Sequence, residues 1–311
     1  MQIRLGYVSI PITLNITSSH TITVTNYKKL GKRKGEEKRE KIFLENLNAL
    51  KIILEYNRKN NIHFYRLTSH LVPLLTYKDS YDNILIKHKD KLLEIANFIR
   101  NNNMRVDIHP DQFNVLNSNN PSIVEATISN LNYYDDLMNK LGLKTNIILH
   151  VGSSQGGKKE SMIRFINNFN KLSSFLKKKL AIENDDKVFN IRNVLSLSKK
   201  LNIPVVLDYH HFLVNRNNEK IEDYITDIFN TWKTTPKIHF SSPKSKKGKR
   251  SHNDYIDSDV FIDFIERIKF CDRDFDIMIE AKKKDEALFR LVRELKLKTN
   301  YQFIDETTFI V

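Results

Sequence analysis

Short apolar runs alternate along the chain with longer stretches of helical periodicity. The short runs are "IRLGYVSI" (3–10), "HFYRLTS" (63–69), "MRVDIHP" (104–110), "TNIILHV" (145–151), "KKLAIEN" (178–184), "IPVVLDY" (203–209), "PKIHFSS" (236–242) and "FDIMIEA" (275–281). Runs this short and this apolar read as buried strands. Between them, stretches such as 42–57 carry Phe43, Leu47, Leu50 and Leu54 at three- and four-residue spacing, which predicts amphipathic helices. Ser258 and Asp285 stand at cap positions before predicted helices 259–269 and 286–297, and Gly142 follows a helix ending near Leu141. Eight strand–helix repeats with no Pro/Gly/Ser-rich linker predict an α/β fold, a single (β/α)8 TIM barrel over 1–297, leaving 298–311 as a C-terminal tail of unassigned role.

A doubly wound open sheet would use the same elements, and the polar residues decide between the two. Tyr7, His70, His109, His150, Glu183, Asp208, His239 and Glu280 each lie near the carboxyl end of a different run. In an open sheet they would spread along an edge, whereas in a closed barrel they converge on one mouth, where barrel enzymes place their sites.

A single histidine at a strand end is more often a hydrogen-bonded structural residue than a ligand, but independent structural roles do not predict imidazoles and carboxylates recurring around a ring. Histidine nitrogen with Asp and Glu oxygen, and no thiolate, suits Zn²⁺, Mn²⁺ or Fe²⁺, and so many donors call for more than one ion. Glu183, central in chain order, is placed to bridge two of them. His252 and Asp254, at i and i+2 in "RSHNDYI", would project to one side of an extended segment. The same spacing puts Lys237 beside His239 on one face of a strand. A lysine cation next to divalent ions is disfavoured, so Lys237 is expected to be neutral, converted to an anion by carboxylation, or in contact with a phosphate.

Charge narrows the substrate. Lys and Arg number 51 against 37 acidic residues, a net +14, which favours a polyanionic partner over the competing explanation of a general Lys/Asn bias. Clustered divalent ions are a recurring device for displacement at phosphorus, and with this charge they suggest a nuclease. The tract "PKSKKGKR" (243–250) offers Lys244, Lys246, Lys247, Lys249 and Arg250 to a DNA backbone. The single cysteine, Cys271, excludes an intramolecular disulfide and a cysteine-ligated cluster. Residues 7–27 carry no Lys, Arg, Asp or Glu but are mostly Thr, Ser and Asn around Pro11, so no membrane span is expected, and the chain reads as a soluble cytoplasmic monomer.

The strings "RLGYVS", "YKKL", "YRLTSHLVPL", "HPDQF", "LHVG", "IENDD", "LDYHHF", "KIHFSSPKS", "RSHNDYI" and "MIEAKKKDEAL" resemble the UV damage endonucleases almost end to end, with only the tail beyond about Leu297 outside the likeness. The resemblance implies a barrel that binds a cluster of two or three Mn²⁺ ions, with Zn²⁺ or another divalent ion as the alternative. It implies nicking of double-stranded DNA on the 5′ side of UV photoproducts, both cyclobutane pyrimidine dimers and 6-4 products. The ligands implied are His109, His150, Glu183, Asp208, His211, His239, His252, Asp254 and Glu280, with His70 lining the site. Glu183, Lys237, His239 and Glu280 are expected to carry catalysis, Lys237 as a carboxylated lysine. Gln112 and Phe113, with Tyr7 beside them, would probe the lesion. Strand alternation puts His210 on the face of Asp208, whereas the resemblance selects His211, and the resemblance is followed because alternation ends with the strand. The competing readings are an apurinic endonuclease, a metal-dependent sugar isomerase on the same barrel, and a DNA-binding protein with a dead site.

Overall fold

The computed structural model describes residues 1–77, 84–144, 146–245 and 248–311. Eight parallel strands form the barrel: β1 (Gln2–Val8), β2 (Phe64–Leu67), β3 (Arg105–Ile108), β4 (Ile147–His150), β5 (Leu180–Glu183), β6 (Val205–Asp208), β7 (Lys237–Phe240) and β8 (Phe275–Ile279). Each pairs with the next, and β1 pairs with both β2 (Gly6↔Phe64) and β8 (Ile3↔Phe275), so the sheet closes. The helices are α1 (Val24–Lys59), α2 (Ile84–Lys87), α3 (Lys89–Asn101), α4 (Pro121–Lys140), α5 (Lys158–Asn170), α6 (Ser174–Lys179), α7 (Ile191–Leu201), α8 (Tyr209–Asn215), α9 (Ile225–Asn230), α10 (Ser258–Ile268) and α11 (Lys284–Lys298).

Alternation along each strand sorts two cores. Ile3, Leu5 and Tyr7 of β1 face the helical shell together with Phe43, Leu47, Leu50 and Leu54 of α1, as the spacing of 42–57 predicts. The barrel interior holds a separate cluster of Ile148, Ala181, Val206 and Trp232. Beneath it Asp276, fully buried, accepts from Arg4 Nε (2.6 Å) and Arg105 Nη1 (2.6 Å), a paired floor to the barrel. Above it lie the charged side chains of the site.

At the mouth Gly152 has φ +111, and a Cβ there would stand 2.3 Å from Asn117 Oδ1. That side chain bonds Ser153 at both its backbone N–H and its C=O, so glycine is what lets the β3–α4 and β4–α5 loops meet.

Three expectations change. Asp257, not Ser258, caps α10, accepting from Asp259 N and Val260 N. Asp285 lies inside α11, where its buried carboxylate accepts from Ile12 N (2.6 Å), Thr13 N (3.3 Å) and Tyr56 Oη (2.8 Å), tying α11 to the β1–α1 loop. The segment 298–311 is no free tail: it forms β9 (Gln302–Phe303) and β10 (Thr308–Ile310), and β10 pairs antiparallel with β1 at Ile3↔Phe309, burying Phe309 completely. Among the described residues no helix is long and apolar enough to cross a membrane.

Candidate metal centre

Of the eight strand-end candidates, His109, His150, Glu183, Asp208, His239 and Glu280 come together at the mouth. Glu183 ends β5 and is almost fully buried; its Oε1 receives His239 Nδ1 at 2.7 Å and its Oε2 receives His109 Nε2 at 3.1 Å, with His150 Nε2 3.7 Å away. Donor atoms of His109, His150 and Glu183 all lie within 4.8 Å of one another, and so do those of Glu183, Asp208 and His239. Glu183 is common to both triads, as a bridging carboxylate requires. Glu280 follows β8, with Oε1 at 3.3 Å from His239 Nδ1.

Helix α8 sends the two histidines in different directions. Asp208 is its N-cap and accepts from His211 N at 2.8 Å, so the Asp-x-x-His spacing is that of a cap and the third helical residue. The His211 ring then lies 6.1 Å from that of His150, while His210 turns toward His252 (5.5 Å).

The electrostatics ask for a cation. Burial pushes Asp208 up to about 8; His211 opposes that, while Glu183 and Glu280 add to it. Burial also works against the Glu183 anion, but hydrogen bonds from His239 and His109 help hold it well below the usual carboxylate range. Burial lowers His150, and lowers His239 to about 4, keeping their imidazoles neutral and able to ligate. Asp208 Oδ2 and His150 Nδ1 are buried with no hydrogen-bond partner. Unpartnered buried polar atoms beside neutral imidazoles and crowded carboxylates fit divalent ions, and the mixed N/O donor set fits Mn²⁺, Fe²⁺ or Zn²⁺.

Two residues that sequence reasoning missed complete the floor. Arg66 of β2 is buried, with Nη1 2.6 Å from Glu280 Oε1 and Nη2 2.6 Å from His239 Nε2. Asp107 of β3 is fully buried and pairs with Lys237. Asp107 stands two residues before His109, so the alternation that linked Lys237 to His239 would have found it. Lys237 shares the inward face with His239 but lies deeper, over the Phe64 ring at 5.9 Å, with no exposure at all. This rules out the phosphate-contact option, because no phosphate reaches a fully buried amine. Burial lowers its pKa to about 8 against the pull of Asp107, with Arg105 and Arg66 adding.

The peripheral candidates divide. Gln112 and Phe113 occupy the tip of a turn closed by Asn114 N to Asp111 O (3.0 Å), and Phe113 is 79% exposed. Tyr7 is not beside them: it shares the parity of Ile3 and Leu5, faces α1, and donates from Oη to Asn57 Oδ1 at 2.8 Å with no exposure, so it has no face to offer a duplex. His70 is exposed, its ring 3.4 Å from Ser69 Oγ. His252 is half-buried near His210 and His211, whereas Asp254 is exposed. Lys244, Lys249 and Arg250 are exposed on a loop whose base is the Pro243↔His252 bridge, and Arg250 Nε lies 3.3 Å from Asp186; Lys246 and Lys247 fall outside the described residues.

Comparison with known proteins adds four findings. The profile of the UV-endonuclease UvdE family matches residues 3–308, well into the segment expected to fall outside the likeness. A UV DNA damage endonuclease of Bacillus cereus (strain B4264) is 38% identical over 301 residues, 95% of each chain. The crystal structure of SacUVDE superposes with a TM-score of 0.87 at 36% identity, covering 95% of this chain and 98% of that one. Endonuclease IV from Thermus thermophilus, at 13% identity, TM-score 0.54 and coverage of 81% and 95%, shares the fold alone.

Proposed function

The chain belongs to the UV-endonuclease UvdE family and is therefore a DNA endonuclease, a hydrolase; on that premise we propose that it nicks double-stranded DNA on the 5′ side of UV photoproducts, using Mn²⁺ held by the Glu183 cluster. The observation that carries the reading is the pair of donor triads sharing Glu183 at the barrel mouth. His109, His150, Glu183, Asp208, His211, His239, His252 and Glu280 would hold the ions, with Asp254 and His70 reaching the site only if the mouth rearranges on loading. Divalent ions there supply Lewis acidity, activating water and neutralising charge at phosphorus. The protein's own part is to orient: Arg66 fixes Glu280 and His239, the α8 cap fixes His211, and the dry floor around Asp107 and Lys237 keeps bulk water out. Carboxylation of Lys237 belongs to the same reading, because a pKa of about 8 leaves neutral amine to react with CO₂ and Arg66 and Arg105 flank the product's charge; intact-mass measurement reports it.

An apurinic endonuclease is the second reading, favoured by the shared fold alone. Incubating irradiated, depurinated and untreated plasmid with the protein and Mn²⁺ separates them: nicking confined to irradiated plasmid is the expected result, and preference for depurinated plasmid sinks the photoproduct assignment.

Lesion reading is assigned to Gln112 and Phe113. A UV-linked pair stacks and pairs poorly, so displacing it costs less than the few kcal/mol of intact bases, and an aromatic wedge can fill the gap. Changing both residues to alanine is expected to weaken binding to damaged duplex by roughly 1.5–4 kcal/mol while undamaged duplex, held through its phosphates, is bound almost as before. Equal losses on both duplexes in a gel-shift titration would remove them from recognition.

Neutralising Lys244, Lys246, Lys247, Lys249 and Arg250 should weaken binding whatever the lesion. The slope of log K against log salt should flatten by roughly 0.9 per lost phosphate contact. An unchanged slope would make the loop a solvated face.

A further inference from the structure

The chain segments that enter β4, β5, β6 and β7 lie on the face of the barrel opposite the metal-binding mouth, and between them is a cavity of about 810 Å³, within the size range of small-molecule sites. Five lysines line it: Lys144 before β4, Lys177, Lys178 and Lys179 of α6, and Lys233 before β7. No carboxylate is among the described lining residues. Two of the five are occupied, since Lys177 Nζ donates to Asn170 O at 2.7 Å and Lys179 Nζ lies 2.5 Å from Asp135 Oδ1. Lys144, Lys178 and Lys233 are exposed and have neither ion pair nor hydrogen bond among the described residues.

The last turn of a helix favours cations, which accounts for the lysines of α6, but Lys144 and Lys233 stand beyond the ends of α4 and α9, where that effect has faded. Ammoniums gathered at one cavity repel one another, and an anion seated among them relieves the repulsion. The rest of the lining is of a different kind. Leu143, Phe169, Ile203 and Pro204 contribute apolar surface, and the side-chain amides of Asn146 and Asn202 make no hydrogen bond among the described residues. A bare phosphate would leave the apolar surface empty, a fatty anion would leave the amides unpaired, and a duplex offers its phosphates on a convex ridge. An anion that carries a flat body with a hydrogen-bonding edge answers all three features.

We propose that this cavity binds a nucleotide, with its phosphates on Lys144, Lys178 and Lys233, its base against Leu143, Phe169 and Ile203, and the base edge on Asn146 and Asn202. The site is separate from the Glu183 cluster, so it stands whether or not the protein cuts at photoproducts. A free nucleotide and an unpaired nucleotide of a DNA strand carry the same chemistry.

The test reads lysine acetylation site by site, by mass spectrometry, on full-length Mn²⁺-loaded protein. The added ligand is ADP with matching Mg²⁺, a short single-stranded oligothymidylate, intact duplex, pyrophosphate or adenosine. ADP is expected to slow labelling of Lys144, Lys177, Lys178 and Lys233 about tenfold relative to exposed lysines elsewhere, such as Lys41 and Lys159, with pyrophosphate and adenosine each protecting less. Protection by the oligothymidylate in place of ADP would support the cavity and make a DNA strand the source. In the triple variant Lys144→Gln, Lys178→Gln, Lys233→Gln, the ADP concentration that half-protects Lys177 should rise about tenfold, while Tm, metal content and nicking match the wild type. An unchanged midpoint would overturn the proposal. So would labelling that ADP and the oligothymidylate both leave unaltered, or that pyrophosphate or intact duplex slows as much as ADP does, because the cavity would then be a basic surface and no more.

Discussion

Replacing Glu183 by glutamine is expected to cut nicking of irradiated DNA by about 10³-fold, equivalent to about 4 kcal/mol of lost transition-state stabilisation, and to strip the protein of much of its metal. The carboxylate joins both donor triads, and its oxygens face His239 and His109 at 2.7 and 3.1 Å. Glutamine keeps the shape but removes the charge that would hold two cations, and it offers one acceptor where there were two. Because a buried charge is removed rather than stranded, the circular dichroism spectrum should not change. Metal uptake by the wild type should release protons at pH 7, since Asp208, pushed up to about 8, is largely protonated until a cation arrives. Elemental analysis and calorimetry in buffers of different ionisation enthalpy check both halves. Full activity in the glutamine variant would remove Glu183 from the mechanism.

The second large effect lies one layer deeper. In protein whose Lys237 amine is unmodified, Asp107→Ala leaves Lys237 buried beside Arg66 and Arg105 with no anion, and should cost about 3–5 kcal/mol of stability. The loss should depend on pH. A lysine whose folded pKa is depressed to about 8, or lower once Asp107 is gone, against about 10.4 unfolded, penalises folding fully below the folded value. The unfolded chain binds more protons between the two values, so stability rises with pH across that window and the deficit shrinks. Adding Lys237→Met should recover much of the loss, a coupling that denaturant melts of the two single variants and the double variant would measure. Purely additive losses would mean that the Asp107–Lys237 pair is not what Asp107 supports.

The barrel and the ring of histidines and carboxylates were legible because both are written in local pattern: period-two runs, period-3.6 stretches, and polar residues at run ends. What escaped was parity. Tyr7 ends its run as the others do, but it stands at the same parity as Ile3 and Leu5 and so points to α1 instead of the mouth. Arg66 and Asp107 were passed over because they sit inside apolar runs, where polar side chains look like interruptions; they face inward and serve as the counter-charges of Glu280 and Lys237. Asp285 looked like a cap because it precedes an apolar stretch, and only the fold shows it reaching across to Ile12, Thr13 and Tyr56. The hairpin after residue 298 was missed because its partner, β1, lies at the other end of the sequence.

That last pairing bears on how the protein is made. Strand β1 leaves the ribosome before the other strands, yet its partners β8 and β10 lie some 272 residues later or more, as the Arg4–Asp276 contact shows. At roughly 5–20 residues per second, β1 waits on the order of tens of seconds with one edge unpaired. During that interval the nascent chain exposes a template for strand addition, so this barrel closes only after most of it has been synthesised, and its yield in a cell depends on what shields that edge meanwhile.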